Sequence, residues 1–189
     1  MTTPVRNVDT ANAPGSGERA KSPGRPRIAA GVGILLAVLA AAAPAMQPSD
    51  LAPSQDAEPV LTVVDGGEVS ELSLADIETL DLYSVEMQHF EGLTGVFTGV
   101  RLAAFIRELG LADARRLRFI AADDYTIFLE PERIAERGFL LVTRFDGEPM
   151  PRTELGPLML VVPDEAEAVR EGEATPTDWI WALTKIRAR

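Results

Sequence analysis

The stretch "IAAGVGILLAVLAAAAPA", Ile28–Ala45, runs for 18 residues without a charge or a strongly polar side chain. It divides the chain, because a soluble domain seldom opens with an all-round apolar helix behind a basic tail. Ahead of it, residues 1–27 are rich in Thr, Pro, Gly, Ser and Asn, and Arg19, Lys21, Arg25 and Arg27 gather at their end. They read as a disordered basic leader. A basic flank, an apolar run and small residues in an A-x-A arrangement (Ala43, Pro44, Ala45) are the parts of a secretory signal peptide. The competing reading of residues 28–45 is an uncleaved membrane anchor, since a span needs about 17–25 apolar residues. Both readings keep the basic flank in the cytoplasm and export the rest of the chain. Residues 46–58, with Pro48, Pro53 and no periodicity, read as a linker, and residues 59–189 as the folded domain.

The chain has no cysteine. This excludes disulfides, Cys-ligated zinc, iron–sulfur clusters and a thiolate nucleophile within it. An exported domain without disulfides suits a bacterial periplasm, or the periplasmic face of the inner membrane. Charge narrows the partners. Of 18 basic and 29 acidic residues, positions 1–45 hold five and two, so positions 46–189 hold 13 against 27, a net of −14. Phosphate backbones and anionic lipid surfaces repel such a domain, which argues against nucleic acid and leaves residues 28–45 as its one membrane element. Neutral or cationic small molecules and proteins with basic patches fit it better.

Local patterns indicate an α+β domain that is mainly β. Asp65-Gly66-Gly67 between two β-prone runs is a hairpin signal. Ser73 with Asp76 three residues on marks a helix start, followed by Leu74, Ile77 and Leu80 on one face. "LYSVEMQ" alternates as a half-buried strand. In "RLAAFIRELGL", Leu102, Phe105, Ile106 and Leu109 recur at helical spacing and Gly110 closes the run. "RLRFIAA", "YTIFLEP", "FLLVTRFDG" and "LMLVVP" read as strands, with Asp146-Gly147 a turn. "WIWALTKIRA" reads as a final strand on which Trp179 and Trp181 share a face.

Several of these blocks together resemble a known family. "GVFTGVRLAAFIRELGL" is similar to the helix entry of the molybdopterin-binding domain of the sulfite oxidase superfamily, and "AADDYTIFLEPERI" to its A-x-D-G-Y hairpin. "LLVTRFDGEPMPRTELGPLMLVVP" resembles its G-x-P…GPL stretch, and "DWIWALTKIRAR" its closing strand. The blocks keep the family's order from Val60 to Arg189. The resemblance implies the sulfite-oxidase type of fold, mainly β with short inserted helices. It also implies a departure. Enzymes of this superfamily hold molybdenum through a cysteine thiolate and the pyranopterin phosphate through basic residues. This chain has no cysteine, and "EMQHFEGLTG" in the corresponding region offers only His89. Stand-alone exported relatives without the metal ligand are implied to bind a plain pterin, or to report on one to a membrane signalling protein.

Asp123-Asp124 reads as a two-residue hairpin turn, with Asp124 where the family pattern carries Gly. One of the two carboxylates also suits the paired 2-amino and N3–H donors of a pterin edge. His89 is the only histidine, and one histidine does not make a metal site. Beside Phe90 it is a loop-edge residue or a pocket-lining donor. Trp179 and Trp181 are core anchors, or a wall for a flat heterocycle with Tyr125 or Phe90 opposite. Arg101, a cation at a helix start, asks for compensation by a carboxylate or a ligand oxygen. Arg144 is placed to pair with Asp146. The acidic run Asp164–Glu173 is solvated surface or a dock for a basic partner.

No catalytic constellation emerges from the spacing. Three functions remain: an exported, non-catalytic pterin-binding domain that relays ligand state to an inner-membrane sensor, a molybdenum-cofactor oxidoreductase or a subunit of one, and an interaction scaffold without a ligand. Pterin is the expected ligand ahead of molybdopterin, which needs the missing thiolate.

Overall fold

The computed structural model describes residues 45–153 and 155–189. The basic leader and all but the last residue of the apolar segment lie outside the described residues. Among those described, no helix is long and apolar enough to cross a membrane.

Two sheets carry the domain. The first has the order β1 (Gln47–Pro48), β4 (Leu82–Gln88), β5 (Thr94–Arg101), β8 (Leu140–Phe145), β10 (Met159–Val161), with the short β9 (Glu148–Pro149) folded back on β8. The second has the order β3 (Glu68–Ser73), β2 (Pro59–Asp65), β11 (Leu183–Ala188), β6 (Leu117–Ala121), β7 (Thr126–Leu129). All pairings are antiparallel except β2 with β11. Short helices sit between strands: α1 (Leu74–Ile77), α2 (Leu102–Glu108), α3 (Pro131–Glu136) and α4 (Ala166–Arg170). The α+β, mainly-β expectation holds.

Local chemistry accounts for most of these elements. Gly66 and Gly67, at φ 53° and 95°, make the tight two-residue turn between β2 and β3. Ser73 caps α1 reciprocally with Asp76: Ser73 Oγ accepts from the Asp76 amide at 3.2 Å, and the Asp76 carboxylate accepts from the Ser73 amide at 2.9 Å. In β6 the burial alternates, with Leu117, Phe119 and Ala121 inward and Arg118 and Ile120 outward. β5 carries a register shift at Gly99, whose missing Cβ would strike the Leu141 carbonyl on β8. The inward residues of both sheets, among them Leu61, Phe97, Phe119, Leu141 and Ile186, form one core.

Two expectations need correction. Residues 46–58 are not a free linker. Gln47 and Pro48 pair with Ser84 and Tyr83, the Ser49 amide donates to Leu82 O, and the Ala75 amide to Asp56 O. Backbone donors and acceptors, which carry no hydropathy pattern, dock this stretch. "WIWALTKIRA" is also not one strand. Ile180 bridges Leu160 at the first sheet, Ala182 turns at φ 50°, and only then does β11 begin in the second sheet. Pairing options on two different sheets overrode local alternation.

Candidate functional site

Three segments meet at one end of the domain: the loop after β4, the β6–β7 turn, and the crossing from Trp179 to Ala182. The turn has three residues rather than two. The Ala121 amide donates to Tyr125 O at 2.9 Å and the Asp124 amide to Ala121 O at 3.2 Å, so Ala122, Asp123 and Asp124 form the loop. Asp124 takes φ 69°, the left-handed closing position of a type I turn with a bulge. Asp123 Oδ1 accepts from the Tyr125 amide at 3.0 Å. Its second carboxylate oxygen has no hydrogen bond among the described residues. The turn thus holds Asp123 in place and leaves half of its acceptor capacity open.

Beside it lies a pocket of about 100 Å³ lined by Ala121, Asp123, Tyr125 and Trp181. Tyr125 and Trp181 stack with centroids 6.5 Å apart and ring planes 18° from parallel. Tyr125 is 49% exposed, so the aromatic pair opens to solvent.

Behind Trp181 the other aromatic candidates cluster in the interior, and none of them lines the pocket. His89 is fully buried, 4.5 Å from Phe90, 5.3 Å from Trp179 and 6.1 Å from Trp181, centroid to centroid. Phe90 contacts both tryptophans, at 5.8 and 5.6 Å. Trp179 is 1% exposed and belongs to the core. Burial pushes the His89 pKa down to about 4, so the ring is neutral at ordinary pH. Its Nδ1 accepts from the Glu91 amide at 3.2 Å, which places the ring proton on Nε2. That Nε2–H and the Trp179 Nε1–H are both buried without a partner. Both residues are buried behind Trp181 and neither borders the pocket, so these donors are a feature of the core.

Not every candidate arrives here. Asp124 serves the turn and does not line the pocket. Arg101 is remote: it stands at the Leu82–Val100 end of the β4–β5 hairpin, while His89 lies just past the Gln88–Thr94 end. Its guanidinium lies 4.4 Å over the Tyr83 ring, and this cation–π contact supplies the compensation expected of a carboxylate or ligand. Arg144 does not pair with Asp146 either. It binds the carboxylate of buried Glu78 and the Ala52 carbonyl, while Asp146 Oδ1 accepts from the Val96 amide at 2.8 Å. In the acidic run, Ala166 and Val169 are buried, and Glu165 and Glu167 pair with Arg137 and Arg170. Ala121, a wall of the pocket, was missed by sequence reasoning, because an inward strand alanine gives no signal of its own.

Residues 66–169 match the family described as the oxidoreductase molybdopterin binding domain. The match spans more than half of the chain, and the chain belongs to this family. In structure it is similar to the sulfane dehydrogenase SoxCD from Paracoccus pantotrophus, with a TM-score of 0.49 and 15% sequence identity. The similarity covers 70% of this chain and 38% of that one. No curated protein matches the sequence.

The family binds molybdopterin, so the fit of that group can be tested on the residues present. A soft thiolate is missing, since the chain has no cysteine, and the described residues hold no cluster of three His, Asp or Glu suited to a metal. The four pocket residues include a carboxylate and no cation to meet a phosphate. A thiolate-bound molybdenum with a phosphorylated pyranopterin does not fit this pocket.

Proposed function

We propose that the chain is an exported, non-catalytic pterin-binding domain that relays ligand state to an inner-membrane signalling partner. The observation that carries this reading is the near-parallel pair Tyr125–Trp181 with Asp123 at its edge. A flat ring held between two aromatic faces needs about 7 Å from centroid to centroid, twice the usual carbon–carbon contact. The pair stands at 6.5 Å, close to that spacing, and Tyr125 sits on a turn at the rim. The open carboxylate oxygen of Asp123 suits the amidine-like donor edge of a pterin, and a neutral heterocycle tolerates the acidic surroundings. The lack of cysteine supports binding over molybdenum chemistry. The leader and the apolar segment support export.

The test is the small-molecule content of the full chain, expressed with its own leader and recovered from soluble and membrane fractions alike. Denaturation, oxidation, and fluorescence and mass spectrometry of the supernatant would find pterin near one per chain, with elemental analysis showing no molybdenum. Molybdenum near one per chain would restore the oxidoreductase reading. Neither group, with no rise in melting temperature on adding pterins, would leave the scaffold.

A further inference from the structure

We infer that the outer face of the second sheet is a docking site for an acidic, aromatic-containing segment of another protein. Register places the residues. Arg118 on β6 stands directly opposite Arg187 on β11, and Lys185 opposite Ile120. Phe128 on β7 is the neighbour of Arg118 on its other side. Arg116 continues the row, with its guanidinium 4.4 Å over the Phe128 ring. Arg116, Arg118, Lys185 and Arg187 therefore share one surface around Phe128, which is 44% exposed.

Three features separate this face from ordinary solvated surface. First, four cations without an ion pair among the described residues are grouped on one sheet face, although positions 46–189 hold 27 acids for 13 bases. Arg133, Arg137, Arg144 and Arg170 find carboxylates, whereas Arg101, Arg107, Arg115, Arg152 and Arg189 do not among the described residues, so it is the grouping that marks this face. Second, like charges directly opposite on paired strands destabilise a sheet, and Arg118–Arg187 is such a pair. Arg118 is met by Thr126 Oγ1 at 3.3 Å and by the Phe128 ring at 5.9 Å rather than by an acid. A like-charge pair that no acid answers is expected at functional surfaces. Third, apolar area is exposed with the charge: Phe128, and Val69 at 61% toward the β3 edge. Arg118 also keeps a buried Nε–H without a partner. The neighbouring acids are Glu71 on β3 and Glu130, which borders a cleft with Arg115 and Arg116; neither pairs with the four cations.

The charge selects the occupant. Extended anionic surfaces, a membrane or a nucleic acid, meet the whole domain's net charge of −14 and are repelled beyond the patch. A short acidic segment feels mainly the charges within about 10 Å of it. A second copy placed across this face by two-fold symmetry would oppose cation to cation, and a head-to-tail contact would not close. The chain's own residues 1–45, five basic and two acidic, carry the wrong sign. The inference is independent of the pterin reading, because this face and the pocket use different residues.

The test uses the full chain and a fluorescein-labelled 16-residue peptide of alternating Glu and Phe-Glu units, with a Lys counterpart as control. The acidic peptide should bind at about 0.1 M salt, where the rest of the domain is screened, the control should not, and raising the salt toward about 1 M should weaken binding. Arg118→Gln/Arg187→Gln should weaken it about tenfold. The melting temperature of this variant should hold or rise, because repulsion is relieved. Arg187→Gln alone, at an exposed site, provides the same test should the double variant lose stability. Equal binding by wild type and Arg187→Gln would overturn the inference. So would no peptide binding, binding only to phosphatidylglycerol vesicles, or sedimentation showing a dimer that these substitutions dissolve.

Discussion

Glu78 is fully buried, and Arg144, 66 residues further on, meets its carboxylate with two guanidinium nitrogens. Thr143 Oγ1 at 2.6 Å and the Ser54 amide at 2.6 Å complete the shell, so the pair joins α1's C-cap, β8 and the N-terminal stretch. Burial alone would raise the Glu78 pKa; the hydrogen bonds from Arg144, Thr143 and Ser54 outweigh it and hold it below the ordinary value. Removing one partner of a buried pair leaves an uncompensated charge, which costs about 3–5 kcal/mol. Arg144→Ala should lose stability of that order in urea unfolding. Because the folded pKa is lowered, the stabilisation is present above the unfolded carboxylate pKa and is lost as pH falls through the folded one. The Glu78→Gln variant should show a shallower acid limb.

Trp179 and Trp181 should behave differently. Trp179→Ala removes a core ring and should cost about 3–5 kcal/mol. Trp181→Ala, half-buried at the pocket, should cost clearly less in thermal unfolding while abolishing pterin retention. Equal effects on both measurements would show that Trp181 is only a core residue.

His89 carries a pH signature. Its folded pKa of about 4 lies below the ordinary 6.5, so the unfolded chain takes up a proton first. Stability from the neutral ring is complete above pH 6.5 and declines as pH falls toward 4. The single histidine makes this directly observable. Its ring resonances should stay unshifted in NMR down to about pH 5 and move only below.

The two aspartates of the turn should separate. Asp123→Ala should lose pterin with little change in stability. Asp124→Gly should keep pterin and stay within about 0.5 kcal/mol, since Gly suits φ 69°. Asp124→Val should cost about 1–2 kcal/mol, because a β-branched residue resists the left-handed region. Calorimetry with a reduced pterin, beside denaturant unfolding, checks all three.

The sequence by itself determined the features that neighbours along the chain decide. The Gly66-Gly67 turn, the Ser73 cap and the α2 face all arise from residues within a few positions of each other, where backbone sterics and side-chain period act directly. The family was legible in the same way, in blocks that keep their order. Only the tertiary structure decided that residues 46–58 join a sheet, that the chain changes sheets at Ala182, and that Arg144 turns to Glu78 rather than to Asp146. It also separated the candidates, bringing Tyr125 to Trp181, sending Arg101 to Tyr83 at the far end of a hairpin, and setting Arg187 against Arg118. Such contacts join residues tens of positions apart, and register and burial choose among several partners that local sequence leaves equivalent.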